Sequence, residues 1–344
     1  MKKTFEQYPL DARIHEALKR LDYKEATEVQ EKLIPLALEG RDAIVSSKTG
    51  SGKTASYLIP ILNQIKETEK NPQVLIIVPT RELAVQVKEE IQWIGRYKKI
   101  QGIQIFGQQP MDAQILALKQ RVHAIVATPG RLLDHIQRGN VQLHQIQYLV
   151  IDEADKLLEM GFIEQVESII LELPKERTTF MLSATIEPEL ERLCEQYMRN
   201  PLRLEFHEEI PRELKQHYYL IEEKEREASF LRLLYCLNPS RAIVFCNTQE
   251  KVDELHITMK TEGFRSVCLH GGLSQKERLR NIKEFKLGTV PYLIATDLAA
   301  RGIHVDDVEC VINYELPFQK ENYVHRIGRS GRIDQEGLGI SLVS

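Results

Sequence analysis

Two groups of residues in this chain are equipped for phosphate chemistry. The first, Ser47-Lys48-Thr49-Gly50-Ser51-Gly52-Lys53-Thr54, is a run of small residues between an apolar segment and a helical pattern. Such a loop can turn its backbone N–H groups onto phosphate oxygens, with Lys53 against the outer phosphates and Thr54 beside Mg²⁺. The second group, Asp152-Glu153-Ala154-Asp155, follows the apolar run Tyr148 to Ile151. A central parallel strand there would deliver both carboxylates to the crevice at the carboxyl edge of a sheet. Asp152 is assigned to hydrated Mg²⁺ together with Thr54, and Glu153 to orienting water. That division suits phosphoryl transfer, which is mostly positioning and charge neutralisation. Ser47 stands where a glycine is usual, and a small-residue turn without a ligand is the bland alternative for the loop alone. The acidic pair at this distance makes a nucleoside triphosphate site the stronger reading.

The elements that must position these groups follow from an alternation. Strands are predicted at Ala43 to Ser46, Val74 to Val78, Ile103 to Phe106, Ala124 to Ala127, Tyr148 to Ile151, Thr178 to Leu182 and Leu202 to Phe206. Helical patterns lie between them, as at Thr54 to Lys66 and Glu82 to Ile94. Alternating strands and helices imply right-handed crossovers and an α/β fold whose parallel sheet is covered on both faces. Two helices precede the sheet, Leu10 to Leu21 and Thr27 to Leu38; Thr27 is a suitable N-cap, and Pro35 is expected to end or kink the second. The polar, proline-containing segment His207 to Glu213 then separates this pattern from a second one. Strands recur at Tyr218 to Ile221, Ala242 to Phe245, Ser266 to Leu269, Tyr292 to Ala295, Val308 to Asn313 and Ile340 to Val343, with Thr248 capping a helix through Thr261. The expected domains are 1–206 and 215–344, joined by a linker at 207–214. No second GKT loop accompanies the restart. The charged run Glu222 to Glu227 reads as a solvated helix start.

Composition narrows the class. The 344 residues, 42% apolar and 28% charged, suit a globular protein of about two domains. No apolar run reaches the 18 or so residues of a membrane span, and no apolar segment follows Met1-Lys2-Lys3 to make a signal peptide. A cytoplasmic protein with no membrane partner is expected. Five widely spaced cysteines (Cys194, Cys236, Cys246, Cys268, Cys310) read as buried, reduced thiols rather than metal ligands. A net charge of −4 fails the basic-protein test for nucleic-acid binding, so any such contact must come from a local groove.

Several further motifs, in one order, carry a resemblance. They are Pro79-Thr80-Arg81-Glu82-Leu83, Thr128-Pro129-Gly130-Arg131, Ser183-Ala184-Thr185, Ala295-Thr296-Asp297 through Ala300-Arg301-Gly302, and His325-Arg326-Ile327-Gly328-Arg329-Ser330-Gly331-Arg332. With the Asp152 tetrad, they make the chain resemble the DEAD-box RNA helicases over nearly its whole length. The resemblance implies two tandem RecA-like domains, ATP and Mg²⁺ as cofactors, and RNA as partner. It implies adenine reading by Phe5, Thr27 and Gln30, and arginine fingers at Arg329 and Arg332 that reach the γ-phosphate from the second domain. Ser183, Thr185, Asp297 and His325 would couple the domains. RNA contacts would fall on Thr80, Arg81, Gly107, Thr128, Gly130 and Arg131 in the first domain, and Asn247, Gly271, Gln275, Arg278 and Thr296 in the second. These hydroxyls, glycines and arginines suit phosphate and ribose contacts rather than base edges, so sequence-independent binding is expected. Taken alone, each Thr or Gly in this set could equally be a cap or a turn, and His270 is expected to pack or hydrogen-bond rather than ligate.

The resemblance also implies a monomer that separates short RNA duplexes, with ribosomal RNA or pre-ribosomal particles, or cold adaptation, as settings. An ATP-dependent RNA clamp or annealing factor, and a DNA translocase, are the rivals. The chain departs from the family pattern at several positions. Ala26 replaces a usual proline, Gly107-Gln108 replaces a double glycine, and Arg301-Gly302-Ile303-His304 lacks the acidic residue that contacts the ATP ribose, so that contact is either absent or taken over by Asp306. The chain also stops at Ser344 without a C-terminal RNA-binding domain or basic tail, as expected of a minimal or trimmed helicase core.

Overall fold

The computed structural model describes residues 3–47, 52–206, 214–300, 308–330 and 337–344, apart from the side chains of Leu298, Glu321 and His325. The chain divides into two compact units, Met1–His207 and Glu208–Ser344. Of the expected linker, only Leu214 is described.

The first unit is a seven-stranded sheet: β1 (Ala43–Ser46), β2 (Val74–Ile77), β3 (Gly102–Ile105), β4 (Ala124–Ala127), β5 (Tyr148–Ile151), β6 (Thr178–Ser183) and β7 (Leu202–Glu205). Its order is β3-β4-β2-β5-β6-β1-β7, and every pairing is parallel. Short runs of β-branched residues give strands apolar on both faces, as a sheet covered by helices on both sides requires. Along β2, Val74 and Ile76 enter one core with Leu58 and Val87, whereas Leu75 and Ile77 enter the opposite core with Leu132 and Ile169. Full burial of each such side chain contributes roughly 1.5–3 kcal/mol.

Four helices of this unit pack together around α3: α1 (Ala12–Arg20), α2 (Glu28–Leu38), α3 (Lys53–Gln64) and α4 (Arg81–Ile94). Thr27 and Gln30 form a reciprocal capping box at α2, and Thr80 caps α4 by accepting Leu83 N–H. Pro35 does not terminate α2, which runs on to Leu38; the Pro35 carbonyl still accepts Glu39 N–H at 3.0 Å.

The second unit is a six-stranded sheet: β8 (Leu214–Leu220), β9 (Ala242–Cys246), β10 (Ser266–Leu269), β11 (Tyr292–Thr296), β12 (Cys310–Asn313) and β13 (Gly337–Val343). Its order is β10-β11-β9-β12-β13-β8, again all parallel. Alternation repeats in β9: Ala242, Val244 and Cys246 pack on one side, Ile243 and Phe245 on the other. β8 begins four residues earlier than expected, at a position assigned to the linker, because an edge strand has one partner and needs little apolar content. Cys194, Cys246, Cys268 and Cys310 are buried free thiols, and Cys236 is exposed. No helix among the described residues is long and apolar enough to cross a membrane.

Candidate functional site

Strand register decides what meets at the carboxyl edge of the first sheet. Ile77 is level with Ala127 and Ile151, and Ser46 is level with Ser183. The residues that follow, Ser47, Thr80, Thr128, Asp152, Glu153 and Thr185, therefore emerge along one edge.

Gly52 opens α3 at φ +82°, the left-handed region that glycine tolerates. A Cβ there would stand 2.7 Å from Gln30 Nε2 and against the Thr27 side chain, so the loop needs glycine at this approach. Gln30 is 3% exposed, not the surface residue its helix position alone suggests. Its Oε1 accepts Thr27 N–H at 2.9 Å, and its Nε2 donates to the Gly52 carbonyl at 3.3 Å. Each of these amide atoms can form two hydrogen bonds. Phe5 is buried with Tyr8 and packs against the half-buried Tyr23, its ring edge-on to Tyr23 at 5.6 Å.

Lys53 is buried, and its ammonium donates to the Ser47 carbonyl. Burial pulls its pKa down, opposed by Asp152, Glu153 and Asp155. Asp152 is pushed up to about 6, by burial first and then by the neighbouring Glu153, with Lys53 and the Tyr57 hydroxyl acting the other way. Its Oδ1 accepts Glu153 N–H at 2.9 Å and its Oδ2 accepts the Tyr57 hydroxyl at 2.9 Å. Glu153 sits at φ +52°, ψ +50°, a conformation that costs of order 1 kcal/mol or more for a non-glycine residue, and Lys156 pairs with its carboxylate at 2.6 Å. A buried hydroxyl and a buried carboxylate whose ionisation burial disfavours form a hard-oxygen set that a divalent cation would favour, so the donors present fit Mg²⁺.

Asp155, not assigned a role from sequence, joins the edge to β6. It accepts Ala184 N–H at 3.0 Å, while its own N–H donates to Ser183 Oγ at 3.0 Å. Ser183 Oγ–H in turn donates to the Thr185 carbonyl at 2.6 Å. The Ser183-Ala184-Thr185 turn is thus tied to the acidic tetrad.

Farther along this edge, two arginines converge on the loop after β3. Arg81 donates to Gln108 Oε1, and Arg131 donates to the Gln109 carbonyl at 2.9 Å. A Cβ at Gly107 would lie 3.5 Å from the Arg81 guanidinium. Thr128 starts the helix Pro129–Gln137 without capping it through its side chain. Thr80, Arg81, Gly107, Thr128, Gly130 and Arg131 therefore share one region, with Gln108 as an added member.

In the second unit, Asn247, Thr296 and Asp297 gather at a carboxyl edge around Arg326, which is 1% exposed. Arg326 Nε and Nη2 donate to Asp297 at 2.5 and 2.7 Å, and Nη2 also donates to Asn247 Oδ1 at 2.8 Å. Nη1 donates to Asn313 Oδ1 at 3.1 Å and to the Glu315 carbonyl at 2.6 Å. Gly271 lies against Gln249, and Gln275 opens the helix Gln275–Lys286, which carries Arg278 and is capped by Ser274. His270 Nδ1 accepts Gly272 N–H at 3.3 Å and Nε2 lies 3.1 Å from Asp253, so this histidine serves local structure. Cys268 is near enough to join them, but burial holds its thiol pKa up.

Arg329 is half-buried at the end of the helix Lys320–Ile327. Lys48, Thr49, Gly50, Ser51, Arg332, His304, Asp306 and the His325 side chain lie outside the described residues. Tyr57, Gln108, Asp155 and Arg326 are the members that sequence reasoning left without roles.

Residues 27–193 match the DEAD/DEAH box helicase family, and residues 225–334 match the helicase conserved C-terminal domain. The chain is 46% identical over 342 residues to the ATP-dependent RNA helicase DbpA of Bacillus subtilis, covering 99% of this chain and 71% of that protein. It is 40% identical over 343 residues to the DEAD-box ATP-dependent RNA helicase CshA of Geobacillus kaustophilus, covering 99% and 73%. Among solved structures, Saccharomyces cerevisiae Dbp5 bound to RNA and ADP BeF3 aligns with a TM-score of 0.89 at 29% identity, over 99% of this chain and 89% of that one. A DEAD box protein from Methanococcus jannaschii aligns with a TM-score of 0.60 at 37% identity, over 100% and 94%.

Proposed function

The chain belongs to the DEAD-box ATP-dependent RNA helicases, and on that premise we propose that it grips single-stranded RNA without reading its sequence and locally separates short duplexes. The observation that carries the reading is the shared carboxyl edge of the first sheet. There, Lys53, Thr54, Asp152 and Glu153 lie beside the Ser183 turn, and Arg81 and Arg131 converge on the Gly107 loop. Thr54 and Asp152 would hold Mg²⁺, which offsets phosphate charge when bound. Lys53 would neutralise the outer phosphates, Glu153 would orient water, and Gln30 would offer the second bonding positions of its amide to adenine. Arginines, hydroxyls and exposed backbone on the RNA side favour phosphate and ribose contacts.

Energetics limit the reach of each cycle. Opening one stacked step costs on the order of 1.4 kcal/mol, by the DNA figure, while a ligand bound at micromolar affinity supplies about 8 kcal/mol. A handful of base pairs per ATP is the ceiling, which fits local rather than processive unwinding.

The test compares ATP turnover of the full chain with single-stranded RNA and with DNA of the same sequence, alongside displacement of a short labelled RNA strand. RNA-selective stimulation with ATP-dependent displacement is expected, and Lys53→Ala should reduce turnover at least about 100-fold, on the order of 3 kcal/mol in the barrier. Equal stimulation by DNA would refute the RNA reading; ATP-dependent retention of RNA without displacement would replace unwinding by clamping.

A further inference from the structure

We propose that the Tyr57 hydroxyl is a positioning group for Mg²⁺, joining Asp152 and Thr54 into one donor set; the inference rests on the nucleotide-site reading above. Tyr57 lies on α3, one turn beyond Lys53, and is 0% exposed. A phenylalanine ring would fill the same space, so packing alone does not call for a hydroxyl. A buried phenol does need a polar partner, and a backbone carbonyl would serve. Here the partner is the acidic group of the site: Tyr57 donates to Asp152 Oδ2 at 2.9 Å, and it stands three residues beyond Thr54 on the same helix. Glu153 N–H occupies Asp152 Oδ1 at 2.9 Å. Each carboxylate oxygen is thus anchored by one bond, which fixes the directions of its remaining lone pairs.

A phenol bonded to Asp152 and carried on the same helix as Thr54 ties the carboxylate to the element that bears the hydroxyl before the cation arrives. Groups that hydrogen-bond to metal-ligating carboxylates orient them, and their removal typically lowers metal affinity 10–100-fold. Tyr57 touches neither nucleotide nor reacting atoms in this reading; it acts through Asp152 and Thr54.

The test is Tyr57→Phe in the full chain. Binding of a fluorescent ADP derivative is titrated against Mg²⁺, and a baseline in EDTA reports nucleotide affinity without the cation. The Mg²⁺ midpoint is expected to rise about 10-fold, with the EDTA baseline unchanged and ATP turnover recovered at saturating Mg²⁺. Superimposable Mg²⁺ curves for the wild type and Tyr57→Phe would overturn the proposal. So would a loss that excess Mg²⁺ fails to recover, the behaviour of a mispacked α3. If the wild type binds no ADP at all, the nucleotide-site premise falls; if it binds ADP but ignores Mg²⁺, the nucleotide site stands and the proposal alone falls.

Discussion

The carboxyl edges of the two sheets treat buried charge in opposite ways. At the first, Asp152 is pushed up to about 6 and Lys53 is pulled below its ordinary value, so each is less charged there than it would be in water. At the second, Arg326 is as deeply buried, yet each of its five N–H donors has an acceptor in Asp297, Asn313, Asn247 or the Glu315 carbonyl. A satisfied guanidinium braces a loop, whereas a carboxylate whose charge burial still disfavours gains from a cation. Both edges carry motifs of the same family, but the buried charge of one is fully paired within its own chain and that of the other is disfavoured by burial.

The comparison breaks most visibly at Arg326. Arg326→Met should destabilise the second unit by about 3–5 kcal/mol, because Asp297 and two asparagine carbonyls lose their shared partner. Urea unfolding of the full chain can localise the loss. Trp93, the single tryptophan, lies on α4 of the first unit and reports only that unit by fluorescence, while far-ultraviolet circular dichroism reports both. An early dichroism transition with an unmoved Trp93 transition is expected; a loss under about 1 kcal/mol would mean the network braces nothing.

Asp152→Asn should act with the opposite sign on stability. The folded carboxyl titrates near 6 against an ordinary 3.8, so its protonation stabilises the fold fully below 3.8 and that stability is lost as pH rises through 6. A shift of that size corresponds to about 3 kcal/mol, an upper figure for the cost of the ionised group at neutral pH. The ligand-free Asn variant should therefore be about 1–3 kcal/mol more stable than the wild type at pH 7.5, the gap closing as pH falls through 6, while ATP turnover is lost. A variant less stable at pH 7.5 would show that the carboxylate is as well satisfied as Arg326.

Sequence reading located the edges better than their bonding. β1, β4, β5 and β10 have the ends that their apolar runs announce, since a strand buried on both faces needs an unbroken stretch of apolar residues. β8 escaped in part because its residues are mostly polar and exposed. The motif residues at the strand ends were visible for the same reason as the strands. Their partners were not: Tyr57 and Asp152 are 95 residues apart, and Asp155 and Ser183 are 28 apart. Hydrophobic periodicity says which face a residue occupies, not which polar atom meets it across the sheet. Arg326 shows the limit most plainly, since its four partners come from three separate segments.

The smallest effect tests whether any RNA-side group is restrained as Arg326 is. Gln108 sits at φ +64°, where a glycine would be at ease, and its amide oxygen accepts from Arg81. Gln108→Gly removes left-handed strain of about 1–2 kcal/mol but adds unfolded-state entropy worth about 0.5–1 kcal/mol, so stability should rise by no more than about 1.5 kcal/mol. Gln108→Ala keeps the strain and removes the same contact, which separates the two contributions. Both variants release Arg81 from the glutamine, so with a non-hydrolysable ATP analogue both should bind single-stranded RNA about 2–5-fold more tightly, under about 1 kcal/mol. If Arg81 then reaches a phosphate, the slope of log affinity against log salt should steepen by about 0.7, the single-strand value for one added contact. Unchanged affinity and slope in both variants would mean that Gln108 does not restrain the arginine.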